Sequence, residues 1–325
     1  MTEIVAVGGG TGTPVVLAGL KKNPQHHLSA IVAVTDDGGS TGRLREEFGW
    51  LPVGDLRQCL AALADGESSD EMFNLLFYRF GGKGGLKGHN LGNLILTAFE
   101  DIKGSPGKAV AAVAKIFRAQ GAIYPVTENI ADLIIDYRDG SQATGEHVLD
   151  DHTRGGKTIT KLSLSQTSQL YEPAKKTLLT ADLIILGPGD LYGSLLPHSL
   201  VKGFNQALAK STAKFAYIVN LMTHYSQTHQ MSANDHLTEV TRYFGRQPDY
   251  VVVNNGPISP ELLKLYATEK EYPVKNNLSD NGPTKIIHGD FVAQVAIRLD
   301  SNDEVRRSLL RHDADKLATC LTGLI

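Results

Sequence analysis

Short β-branched runs alternate with helical patterns along most of this 325-residue chain, and that alternation constrains its fold more than any other feature. Parallel strands need crossovers, and helical crossovers cover both faces of a sheet. The fold class that follows is α/β, a Rossmann-like, doubly wound and mainly parallel sheet. Residues 4–7 read as the first strand and 13–21 as the helix after it. Residues 28–34 are apolar almost throughout, as expected for a strand covered on both faces. Helical patterns follow near 44–48, 56–64, 71–80, 91–101 and 106–117. Later, 182–186, 215–220 and 250–254 read as strands, with helices at 199–210, 234–243 and 260–267.

Between residues 122 and 165 the texture changes. Residues 130–137, 141–149 and 159–164 read as strands, with Arg138, Asp139 and Gly140 as a hairpin turn. The expected organisation is a Rossmann-like domain over 1–121 and 166–325, with 122–165 as a β-rich inserted subdomain or lid packed on it. Apolar residues make up 42% of the chain, enough for a sizeable core, and the net charge of −3 leaves no electrostatic footprint for nucleic acid. Cys59 and Cys320 lie far apart, without metal-ligand spacing, so reduced thiols are expected. The opening MTEIVAVGGG has no basic segment before its short apolar run, and no stretch reaches the roughly 20 apolar residues of a membrane span. The expectation is a cytoplasmic protein.

Five blocks can carry chemistry. Gly8, Gly9, Gly10, Thr11 and Gly12 stand between a strand and a helix, where glycines admit close approach of an anion to helix N-terminal amides. Thr13 replaces the third glycine of the dinucleotide fingerprint, and the lysine of a P-loop is missing. Asp36 and Asp37 follow the second strand and lead into Gly38, Gly39 and Ser40, a place for a ribose hydroxyl or Mg²⁺. Arg43 offers a fork for phosphate. Asp55 stands where a helix N-cap would, and Arg57 sits against the helix dipole, which points to an anionic or acidic partner. His89, Asn90 and Asn93 open an apolar helix, with His89 a candidate general acid or base. Gly187, Gly189, Asp190, Tyr192 and Ser194 form a second glycine-rich strand end on the same sheet edge, and Asn220 and Thr223 end the next strand. Two such loops facing one crevice suit a two-part ligand.

Together GGGTG, TDDGGSTGRLR, LPVGDLRQCL with AALAD, GHNLGNL, GPGDLYGSLLPHSL, NLMT, SANDHL and LLRHDADKLA resemble the CofD-like superfamily. Within it the chain is most similar to the bacterial YvcK-like gluconeogenesis (morphogenesis) factor family. The resemblance implies a Rossmann-like fold and a site for UDP-sugars such as UDP-N-acetylglucosamine. It also implies a part in cell shape and cell-wall synthesis during growth on gluconeogenic carbon sources. More distant relatives transfer a phospholactyl group from a guanosine diphosphate carrier, with Mg²⁺. Residue by residue, Gly8–Gly12, Asp36, Asp37, Arg43, His89, Asn90, Asn93, Gly189–Ser194, Asn220 and Thr223 fall in matching motifs.

Two segments depart from the family pattern. After Thr223 a Gly-Glu-containing loop is usual, whereas this chain reads His224-Tyr225-Ser226-Gln227-Thr228. A glycine before the late Pro-Val is replaced within Lys270-Glu271-Tyr272-Pro273-Val274.

No nucleophile–base pair stands out, which favours a nucleotide-sugar-binding regulator over an enzyme. The alternative is a CofD-like Mg²⁺-dependent transferase, with Asp36 and Asp37 as metal candidates and Asp37, His89 and Asp190 as catalytic candidates. A nicotinamide dehydrogenase follows from fold alone and ranks last. Oligomeric state, a homo-oligomer included, and a kinase or cell-wall-synthesis partner stay open at this point.

Overall fold

The structure is a computed structural model that describes residues 1–64, 69–294 and 309–325. Asp65, the last residue of the AALAD block, lies outside the described residues. The first half runs β1 (Thr2–Gly8), α1 (Gly12–Leu20), β2 (His26–Val32), α2 (Gly39–Phe48), α3 (Gly54–Leu63), α4 (Ser69–Phe77), α5 (Leu91–Lys103), α6 (Pro106–Ile116) and β3 (Ala122–Pro125). An insertion follows, with β4 (Leu133–Tyr137), β5 (Gln142–Thr144), 3₁₀ turns at Glu146–Asp150 and His152–Arg154, and β6 (Ile159–Leu164). The second half holds α7 (Glu172–Thr180), β7 (Leu183–Leu186), a π turn (Leu191–Leu195), α8 (Pro197–Leu200), α9 (Phe204–Lys210) and β8 (Lys214–Ile218). It closes with α10 (Ala233–Phe244), β9 (Tyr250–Asn254), α11 (Pro260–Thr268), β10 (Lys285–Gly289) and α12 (Ala314–Thr322).

The main sheet has the order β10-β9-β8-β7-β1-β2-β3, and every neighbouring pair is parallel. The chain winds outward from β1 to β3, crosses back to β7 beside β1, and winds outward again. The strand order therefore reverses between β1 and β7, where open α/β sheets leave a crevice at the carboxyl edge. Helices cover both faces, so Ile4, Val5, Ala6 and Val7 are all buried, as is the whole of β7. The α/β, doubly wound expectation holds.

The insertion forms its own antiparallel sheet, β5-β4-β6. It interrupts the crossover from edge strand β3 to central strand β7, which sets it over the switch point. Residues 122–125 were expected within it but pair with β2 instead, burying Ile123 and Pro125 at the sheet edge. The strand expected at 141–149 stops at Thr144. Gly145 adopts φ +102°, and the chain then coils into the first 3₁₀ turn. The helix expected at 199–210 is two pieces, divided before Gly203 at φ +101°. Residues 78–80 leave helical geometry because Arg79 pairs with Asn90 in an antiparallel bridge. α7, β10 and α12 were not anticipated. Among the described residues, no helix is long and apolar enough to cross a membrane.

Candidate functional site

A cleft of about 420 Å³ opens at the switch point, and a side chamber of about 140 Å³ continues from it. Gly8 ends β1 and Gly187 follows β7; both lie behind the lining, their backbones joined to the sheet through Ala33 and Val7. Gly9 lies with them outside the lining. Gly10, Thr11 and Gly12 face the chamber. A Cβ on Gly12 would stand 2.0 Å from the Pro188 carbonyl oxygen, so the two loops meet backbone to backbone and no side chain fits. Opposite, the Asn220 carbonyl oxygen accepts from the Gly189 amide at 3.4 Å, and Thr223 Oγ1 accepts from the Tyr272 amide at 3.0 Å. Arg311, from the segment before α12, donates to the Thr11 carbonyl at 3.2 Å. The chamber thus joins backbone amides, an amide side chain and a guanidinium with the carboxylates of Asp190 and Glu271.

The DDGGS block divides. The carboxylate of Asp36 lines the cleft and accepts from the Gly38 amide at 2.9 Å. Gly38, Ser40 and Thr41 line it too, and Gly39 begins α2. Asp37 turns away. It accepts from the His147 amide at 2.8 Å and meets the His147 ring at 2.9 Å, which ties the insertion to the main domain. The two acids therefore do not converge on one ion, because neighbouring side chains outside a helix point to different sides. Arg43 is exposed, donates to the Lys87 carbonyl at 3.1 Å and does not line the cleft.

α3 begins at Gly54 with Val53 as its cap, so Asp55 is a first-turn residue and not the cap itself. Asp55 Oδ2 accepts from the Gly10 amide at 2.6 Å, which places an internal carboxylate on the glycine loop. Arg57 is buried, donates to the Asn93 carbonyl oxygen at 2.7 Å and stacks over Phe77 at 4.6 Å. Asn93 passes the contact on to the hydroxyls of Ser40 and Thr41 at 3.4 and 3.3 Å. Asn90 caps α5 by accepting from the Asn93 amide. His89 sits behind this wall, 3.3 Å from Ser40 Oγ, with its pKa lowered by burial and by Arg43. Of this group Arg57 and Asn93 face the cleft; His89 and Asn90 support it.

Asp190 and Ser194 line the cleft from the second glycine loop, whereas Tyr192 points inward and donates to Glu239 at 3.3 Å. The insertion adds Glu146, Asp150 and His152, and the loop after α11 adds Glu271. None of these four stands out as a single residue in sequence, although the run E-H-V-L-D-D-H concentrates three. Arg311 was within reach, since it belongs to the LLRHDADKLA block.

Burial first, and then the crowding of like charges, shift the acids of the cleft. Burial, then Asp55, push the Asp36 carboxyl up to about 7. Glu146 is held well above the carboxylate range by burial, then by Asp36, Asp150 and Asp190. Loss of surrounding water and the charge of Asp190 raise Asp150 to about 6. Clustered oxygen donors of this kind suit a hard cation. Mg²⁺ characteristically takes only one or two carboxylates and completes its shell with water and ligand phosphate. Asp36 and Asp190 line the cleft, with Asp55 adjoining.

Residues 4–292 match the CofD family, described as 2-phospho-L-lactate transferase CofD. A Thermotoga maritima protein is 37% identical over 316 residues, which cover 97% of each chain. A Listeria innocua gluconeogenesis factor is 34% identical over 327 residues, spanning 99% of this chain and 95% of its own. The crystal structure of a Bacillus halodurans protein is similar with a TM-score of 0.89 at 34% identity, over 99% of both chains.

Proposed function

The chain belongs to the CofD family, in the branch of the gluconeogenesis factors, and from that premise we propose that its switch-point cleft holds a UDP-sugar together with Mg²⁺. One observation carries the reading: a chamber lined by the glycine-loop backbone and Arg311 and a carboxylate-lined cleft share Gly10, Thr11 and Asp190 as a common wall. A diphosphate accompanied by a cation satisfies both, its oxygens facing the amides and Arg311 and its metal facing Asp36 and Asp190. The metal, when bound, neutralises phosphate charge that the carboxylates would otherwise repel.

In this reading the chain is a cytoplasmic binding factor. It reports nucleotide-sugar supply to cell-wall synthesis, and so to cell shape, during growth on gluconeogenic carbon sources. Thermal-shift measurement tests it, since a ligand that binds only the folded chain raises the melting temperature. UDP-N-acetylglucosamine or another UDP-sugar is expected to raise it in the presence of Mg²⁺ and less in its absence. No shift with any nucleotide sugar would defeat the proposal.

A second reading, a Mg²⁺-dependent transferase acting on a nucleoside-diphosphate carrier, is favoured by the Asp36 carboxyl, which burial and Asp55 raise to about 7, a value that suits a proton donor near neutrality. Recovery of the UDP-sugar unchanged after long incubation with Mg²⁺ and a hydroxyl acceptor separates the two.

A further inference from the structure

We propose that His152, His224 and Glu271 form a binding site for a transition-metal ion of the zinc class on the wall of the cleft. Their donor atoms all lie within 4.8 Å of one another, the one such grouping among the described residues. They come from three separate parts of the fold: the second 3₁₀ turn of the insertion, the loop after β8 and the loop after α11. The His224 and Glu271 positions fall in the two segments where the chain departs from the family pattern.

The His224 ring faces two carboxylates. His224 Nε2 stands 3.7 Å from Asp150 Oδ1 and 3.8 Å from Glu271 Oε1, both too long for hydrogen bonds. Donors each about 2.0–2.2 Å from a tetrahedral zinc ion stand roughly 3.4 Å apart, close to the His224–Glu271 separation. Ser226 Oγ lies 3.1 Å from His224 Nδ1 and orients the ring so that Nε2 faces the acids. Glu269 stands 3.7 Å from His152 Nδ1.

The segments are also braced against each other. The Gly156 amide donates to the Tyr225 carbonyl at 2.9 Å, Ser226 Oγ donates to the Leu149 carbonyl, and Lys270 reaches the Tyr225 hydroxyl at 3.0 Å. Two imidazoles and one carboxylate are a borderline-soft donor set that suits Zn²⁺ and its neighbours, unlike the all-oxygen lining around Asp36. All three residues line the main cleft, so the ion's remaining coordination positions face it.

The test titrates chelator-treated full-length chain with Zn²⁺ by calorimetry and with Co²⁺ by visible absorption. One equivalent should bind in the micromolar range or tighter, with an intense Co²⁺ band. H224A, H152A and E271Q should each weaken binding tenfold or more. X-ray absorption of the zinc-loaded wild type needs no variant and should show imidazole scattering from two rings. Failure of the wild type to bind, unchanged affinity in H224A and H152A, or an all-oxygen shell would each overturn the site. None of these readouts depends on a nucleotide, so the outcome is separate from that of the UDP-sugar proposal.

Discussion

The two ends of the cleft are built from the same sheet edge and differ in electrical character. The chamber end is lined by Gly10, Thr11, Gly12, Gly189, Asn220 and Arg311 and shares Asp190 and Glu271 with the cleft, so it is the end richer in donors. The cleft end gathers Asp36, Asp55, Glu146, Asp150 and Asp190, and burial together with the neighbouring carboxylates raises the pKa of Asp36, Glu146 and Asp150. Loop closure and helix starts explain the first end as sound local structure. The second weakens the fold at neutral pH, and that cost points to a site rather than to structural support.

The contrast can be broken most severely where the two ends touch. Gly12→Ala drives a methyl into the Pro188 carbonyl, and a loss of about 3 kcal/mol in denaturant stability is expected. A stability within 0.5 kcal/mol of wild type would mean that the loops part easily.

The carboxylate end makes a signed prediction about pH. The Asp36 pKa is raised from 3.8 to about 7, so the folded chain holds a proton that the unfolded chain releases. Its contribution is fully present below pH 3.8 and is lost as pH rises through about 7. Buried His198, His236 and His312, each lowered to about 4, act in the opposite direction, so the variant must be compared with wild type at each pH. Asp36→Asn should gain about 2 kcal/mol relative to wild type between pH 4 and 8, discounted for the open side of the cleft. Mg²⁺ should shrink that difference if it binds there. Denaturant titrations across the range give the answer, and a flat difference would refute the crowding argument.

At the chamber end, Arg311→Ala should weaken UDP-sugar affinity about tenfold, as expected for loss of a charged hydrogen bond, with little change in melting temperature. Calorimetry showing equal affinity would detach Arg311 from the ligand. The smallest effect belongs to His147→Ala, which removes an exposed partner of Asp37. A stability change of about 0.5 kcal/mol and unaltered Mg²⁺ dependence are expected, and altered Mg²⁺ dependence would return Asp37 to the metal site.

Much of the donor end was legible in the sequence, because Gly8–Gly12, Gly187–Gly189 and Asn220 are each local strand-end signals. The carboxylate end was legible only in part. Asp36 and Asp190 follow strands, but Glu146, Asp150 and Glu271 arrive through tertiary packing of the insertion and a late loop. The same division holds for the fold. β6 and β9 match the expected bounds residue for residue, since their apolar runs end at turn residues. β3 is four residues long with too little pattern to separate it from the insertion, and Gly145 and Gly203 cut elements whose hydrophobic periodicity continued past them.

The carboxylate of Asp55 on the Gly10 amide has a consequence for selectivity. An anion reaching that amide does not fill a vacancy; it exchanges with a carboxylate tethered at high effective concentration. Chloride or free phosphate offers the loop no more than it already holds and leaves a displaced carboxylate among its like-charged neighbours. A ligand that carries its own cation gives Asp55 and Asp36 a new partner as it takes the amide. On the proposed function, the glycine loop discriminates by replacement, favouring metal-paired diphosphates over simple anions.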